Sequence, residues 1–175
     1  MTNDTAKADV ELYSIDKLMH ETRQLAAKYR QTTGNTLPVT GEIARFDAAK
    51  ALKLKLIDDP ASSFDALGTG ERDNQRIIIK GRAIFESTRS SPRIGQLNPE
   101  QNWDLVVLVL FDDHYEPDEI YQASKEDIAA AMKEKEGSAR KKRGAMSIAQ
   151  FKIIGQRVWS RENGLEQEIW DNQDG

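Results

Sequence analysis

Apolar residues recur at helical spacing twice near the start of the chain. In SIDKLMHETRQLAAKYRQTTG, Ile15, Leu18, Met19, Thr22, Leu25, Ala26 and Tyr29 fall along one stripe, with Ser14 placed to cap the start and Gly34 to stop the end. After the linker NTLPV, the stretch TGEIARFDAAKALKL predicts a second helix capped by Thr40, with Glu42 in its first turn and Ile43, Phe46 and Leu52 facing inward. The period then changes. FDALGTGERDNQRIIIKGR reads as two strands joined by a Gly-rich turn, and WDLVVLVLF as a strand buried on both faces, because no polar residue interrupts its apolar run. DDHYEP turns that strand back into a further one, DEIYQA. Ser124 and Asp127 make a capping box ahead of the helix KEDIAAAMKE, and SIAQFKIIGQRVW, capped by Ser147, predicts a last helix with Ile148, Phe151, Ile154 and Val158 on one face. STRSSPRIGQLNPEQN is too polar and too rich in Pro and Gly for an element and reads as a surface loop or flap.

The order helix, helix, strand hairpin, loop, strand hairpin, helix, helix predicts an α/β fold with a small central mixed sheet flanked by helices. It lacks the strict alternation of a doubly wound sheet or a barrel. A chain of 175 residues suits one domain. We place it at residues 14–161, between a polar leader at 1–13 and an acidic tail at 162–175. The longest apolar run, LVVLVLF, is too short to cross a bilayer, so no membrane partner is expected. The start has neither the basic end nor the apolar stretch of a secretory signal, and the absence of cysteine removes disulfides, thiolate catalysis and Cys-ligated metals; both fit a cytoplasmic protein.

Within the first hairpin, side chains alternate between faces, so positions 76, 78 and 80 point one way and 77 and 79 the other. A turn over roughly residues 68–74 sets Asp65 across from 78 or 79, where it shares a face with Lys80. Asp65 can then ligate Mg²⁺ (or Mn²⁺), the Ile79 carbonyl can add a ligand, and Lys80 can hold the attacking water and balance charge on a phosphate. The plainer reading has Asp65 serving the turn and Lys80 reaching past a buried strand into water.

A helix with an acid, a hairpin carrying Asp and then a lysine, and a long apolar strand together resemble the PD-(D/E)XK phosphodiesterase superfamily. The wording PVTGEIARFDAAKAL, FDALG, IIIKGR and WDLVVLVLFDDHYEPDEIYQ is similar to small bacterial members, over roughly residues 38–123. The resemblance implies a restriction-endonuclease-like fold and a Mg²⁺-dependent DNA endonuclease. Asp65 would take the place of the metal-binding aspartate, Lys80 that of the lysine, and Glu42 that of a helical glutamate also touching the metal. Ile78 departs from the pattern, standing where a Glu, Asp or Gln is expected. An apolar side chain can neither ligate metal nor orient water, so the site would run on Asp65, Glu42 and the Ile79 carbonyl, or recruit Glu86 or Glu71. A catalytic member of this fold that cuts at single sites often pairs to cut both strands, which would make the chain a homodimer. The alternative is a non-catalytic module of the same fold that binds DNA or a protein; a third reading is an interaction protein with no nucleic-acid role.

Charge bears on that choice. Net charge is −4 and the isoelectric point about 5.3, which argues against one broad nucleic-acid-binding surface. The cations are concentrated, however: Arg140, Lys141, Lys142, Arg143, Lys152 and Arg157 lie in a stretch without acids, and Arg82, Arg89 and Arg93 add to them from the hairpin and flap. These nine are the candidate phosphate contacts. The acidic tail follows directly and is expected to lie over them until nucleic acid displaces it. His20 and His114 are too far apart in sequence to suggest a metal motif, Trp103 and Trp159 read as core, and Trp170 stands alone in the tail.

Overall fold

The computed structural model describes residues 3–87, 92–134 and 145–166, with side chains from Ser14 onward in the first segment and from Met146 in the last. Two helices lead, α1 (Asn3–Thr33) and α2 (Thr40–Leu52). They are followed by β1 (Lys55–Leu56), β2 (Ala66–Leu67) and β3 (Arg76–Ala83), with a single 3-10 turn at Gly70–Arg72 between the last two. Then come β4 (Arg93–Gln96), β5 (Leu105–Phe111), β6 (Pro117–Ser124) and α3 (Lys125–Lys133). The chain continues through β7 (Ala145–Ser147), α4 (Ile148–Ile154), β8 (Gln156–Ser160) and β9 (Gly164–Leu165). The α/β class with a central mixed sheet holds.

Seven strands form the main sheet in the order β1-β2-β3-β5-β6-β8-β9, and β4 pairs with β7 in a separate two-stranded sheet. β3 and β5 run parallel, whereas the other neighbours in the main sheet are antiparallel. β5 lies in the middle with all seven residues buried, as its unbroken apolar run requires. The sheet curls far enough that both end strands, β1 and β9, come alongside α2.

Strand alternation divides the interior in two. Ile77, Ile79, Leu105, Val107, Val109 and Phe111 meet α2 through Ile43, Ala44, Ala48 and Leu52. Ile78, Val106, Leu108 and Leu110 face the other way, against Ile94 of β4, Trp103, Ile128 of α3, Met146 and Phe151 of α4. Contact between α2 and β3 is close: a Cβ at Gly81 would come within 2.5 Å of the Ala44 Cβ and 2.9 Å of the Thr40 carbonyl oxygen. Only glycine admits the helix backbone that near.

Several expectations change. α1 starts at Asn3, so Ser14 is an interior helix residue and the stretch read as a leader is part of that helix. The N-cap of α2 is Val39, which has no capping side chain, and Thr40 is the first helical residue. The flap contains β4, and the acidic tail begins with β9 on the sheet edge. The last helix is the largest departure. Ser147 caps it as expected, accepting from the Gln150 N–H, but it ends at Ile154, and residues 156–160 are β8 paired with β6. Gly155 has an extended backbone whose N–H closes on the Phe151 carbonyl, which stops the helix, and the apolar Val158 and Trp159 then favour a strand.

Candidate functional site

The hairpin brings together the pair that the sequence singles out, within limits set by its register. Ala66 pairs with Ile77 and Leu67 with Arg76, and Asp65 lies in the bend just ahead of β2, hydrogen-bonded to the β3 backbone at Ile77 and Ile79. Along β3, Lys80 and Arg82 follow Ile78 on one face at intervals of two. Ile78, Lys80 and Arg82 thus form one row, on the side away from α2, with Asp65 bound at the edge of the same strand.

Asp65 has a definite local task. Its N–H donates to the Ile77 carbonyl at 2.8 Å, and its Oδ2 accepts from the Ile79 N–H at 2.8 Å. β2 is two residues long, and the carboxylate takes the place of the next carbonyl of the ladder, satisfying a buried donor that would otherwise be unpaired. Among the described residues, no hydrogen bond engages its Oδ1. Ile78, 9% exposed, is part of the second core. Lys80 is half-buried, and among the described residues no ion pair joins it to Asp65.

Glu42 sits elsewhere. α2 covers the opposite face of β3, and the Glu42 side chain is 72% exposed, 3.9 Å from Arg45. Glu71, in the 3-10 turn, and Glu86 are both exposed. Among the described residues, no three His, Cys, Asp or Glu side chains come together as a metal-holding group. Among the described residues beside β3, the donors for a divalent ion that the sequence singles out come down to the Asp65 carboxylate and the Ile79 carbonyl.

The cations divide into two groups. Lys152 and Arg157 are already engaged: Glu119 binds Lys152 at 2.9 Å and Arg157 at 3.0 Å, and Glu166 binds Arg157 at 2.9 Å. Burial works against ionisation of Glu119, but hydrogen bonds from Lys152 and Arg157 prevail and hold its carboxyl below the usual range. Glu166, in the segment read as an acidic tail, is likewise held low by Arg157. Arg82 is different. Its Nε donates to the Arg93 carbonyl and its Nη1 to the Gly81 carbonyl, both at 2.6 Å. Burial pushes the guanidinium down from its ordinary value, with no carboxylate acting against it. Gly95, at φ +86°, leaves room for the Arg82 Nη2, which lies 3.1 Å from where a Cβ would be. Arg93 pairs with Ser147 across the β4–β7 sheet, and Gln96 pairs with Ala145. The stretch Arg140, Lys141, Lys142 and Arg143 joins β7 directly in sequence; it and Arg89 lie outside the described residues, as does Trp170.

A second feature escaped sequence reasoning. A cavity of about 800 Å³ opens between α1, α2 and the β6–β8 pair, walled by Met19, Phe46, Ile120 and Trp159. At its floor Arg23 forms a two-pronged pair with Asp47, one bond at 2.7 Å, and also donates to the Tyr115 carbonyl at 2.7 Å. Burial raises the Asp47 carboxyl despite that partner. The two residues lie 24 apart on different helices, and no motif spacing announces such a pair. His20 borders this cavity, and His114 is exposed in the β5–β6 turn.

No protein-family model matches the chain, and no curated protein matches its sequence. Among the described residues, no helix is long and apolar enough to cross a membrane.

Proposed function

We propose that the protein is a nucleic-acid-binding module of restriction-endonuclease-like layout that keeps the phosphate-binding part of a nuclease site without its hydrolytic part. The observation that carries this reading is the β3 row Ile78, Lys80, Arg82 with Asp65 bound at the strand's edge. The Asp65 carboxylate is spent on a backbone N–H, Ile78 is apolar and built into the core, and among the described residues no carboxylate pairs with Lys80 or Arg82. A desolvated arginine that meets only carbonyls retains an unmet demand for an anion, and a phosphate oxygen supplies one. The bond from Arg82 to the Arg93 carbonyl joins the cations of the hairpin to β4, which pairs in turn with β7. A binding face this narrow is compatible with a net charge of −4.

Hydrolysis is the second reading, favoured by one observation: Asp65 is bound through Ile79 to the strand that carries Lys80, and among the described residues no hydrogen bond engages its Oδ1. DNA, as duplex and as single strand, incubated with the protein and Mg²⁺ or Mn²⁺ separates the two. We expect binding without cleavage, and weaker binding in Lys80→Ala and Arg82→Ala. Cleavage by the native protein that Asp65→Ala and Lys80→Ala both abolish would establish the nuclease instead.

A further inference from the structure

α1 carries an apolar stripe that the rest of the described chain leaves uncovered. Ile15, Leu18, Leu25 and Tyr29 are 42, 56, 60 and 38% exposed, whereas the side of the helix that meets the body includes Arg23, Ala26 and Ala27, with Met19 and Arg30 beside them. One exposed leucine needs no explanation, but four large apolar side chains in a row on one helix do. With Thr22 between them, positions 15, 18, 22, 25 and 29 alternate steps of three and four. That is the seam along which two helices interlock side chains around each other.

We propose that this stripe pairs with the same stripe of a second copy of the chain, the two α1 helices running parallel. Ile15 and Thr22, both β-branched, occupy one seam position and Leu18 and Leu25 the other, the combination that favours two parallel helices. In that register Glu21 and Lys28, which flank the seam, fall at the level of positions 26 and 33 of the second copy, where Ala26 is covered by its own body and Thr33 is uncharged, so no like charges oppose each other. At 3.6 residues per turn, the side that meets the body lies roughly 100° around the helix from the stripe. A parallel pair therefore sets the two bodies on opposite sides of the helices, whereas an antiparallel pair would bring Glu21 to Lys28 but press both bodies into the same space. The exposed stripe amounts to a few hundred Å² per copy, below the ~800 Å² of a standard interface, so the association is reversible and concentration-dependent.

Sedimentation of the full chain from micromolar to near-millimolar concentration tests the pairing, with Leu25→Glu as the variant that removes it. Because the chain has no cysteine, Leu18→Cys installs a single thiol that meets its own counterpart only in the parallel arrangement. We expect a monomer–dimer equilibrium that Leu25→Glu abolishes with helix content unchanged. A short bismaleimide should cross-link Leu18→Cys but not Gln24→Cys on the outward side. A monomer at every concentration, a dimer indifferent to Leu25→Glu, or equal cross-linking at both positions would overturn the proposal.

Discussion

Arg23 and Asp47 show how a single pair can fasten three elements. The guanidinium reaches from α1 to a carboxylate on α2 and to the Tyr115 carbonyl in the β5–β6 turn, with both side chains only 8% exposed. Removing two charges from water is costly, and the pair recovers that cost only while both members are present. Arg23→Ala therefore leaves a buried carboxylate unpaired, and we expect a loss of roughly 3–5 kcal/mol in urea unfolding. Replacing both at once, Arg23→Met with Asp47→Leu, should restore most of it. A single substitution that costs no more than the double one would show that the pair is not the fastening. Asp65 acts on the same principle at the hairpin: its carboxylate answers one buried N–H, the turn-serving role the sequence left open beside the catalytic one. Ile78, on the strand it binds, is committed to packing.

At the scale of elements, two contacts align the central strands. Arg76 opens β3, and its backbone N–H and guanidinium both bind Asp104, just ahead of β5, each at 2.9 Å. The side-chain hydrogen bonds from Arg76, with its backbone N–H, bring the Asp104 carboxyl from 3.8 to about 2. A carboxyl held lower in the folded than in the unfolded chain stabilises the fold above its unfolded value, and the contribution is lost as pH falls through the folded one. Melting temperature should therefore drop between about pH 4 and pH 2 with a share that Asp104→Asn removes, and an identical slope in the variant would contradict the assignment. The α2–β3 contact gives the other check. Gly81→Ala forces the Ala44 methyl and the Thr40 carbonyl apart, and overpacking of this sort costs typically about 1–3 kcal/mol; a neutral effect in thermal unfolding would mean that α2 yields more easily than its packing implies. The elements governed by local pattern were legible in the sequence: α2, the first hairpin, buried β5 and the Ser124 cap, whose oxygen accepts from the Asp127 N–H. β8 was not, because Ile148, Phe151, Ile154 and Val158 satisfy a helical period, while the partner that claims residues 156–160 is β6, distant in sequence. The stripe of α1 misled in another way, since periodicity shows that a helix is amphipathic without showing which part of it finds a neighbour.

Over the whole molecule, the curled sheet creates two interiors, and each candidate residue's position follows from which one it faces. Glu42 rides on the helix of the first, exposed; Lys80 and Arg82 lie on the side of the second, with Asp65 bound at the edge of their strand. The convergence expected of Asp65, Lys80 and Glu42 depends on strand parity and helix placement together, and only the hairpin half of it can be read from local sequence. Of the cations, Lys152 and Arg157 are matched by Glu119 and Glu166, while among the described residues Lys80 and Arg82 pair with no acid, a distinction invisible in a charge count. Phosphate contact through those two should be electrostatic and salt-sensitive, independent of base sequence. The direct test is fluorescence anisotropy of labelled DNA at low and moderate salt, comparing the native chain with the Lys80→Ala, Arg82→Ala double variant. We predict salt-dependent binding, with affinity falling about tenfold or more in the variant as two phosphate contacts are lost. Equal affinity of the two proteins, or no binding by the native chain even at low salt, would contradict the account.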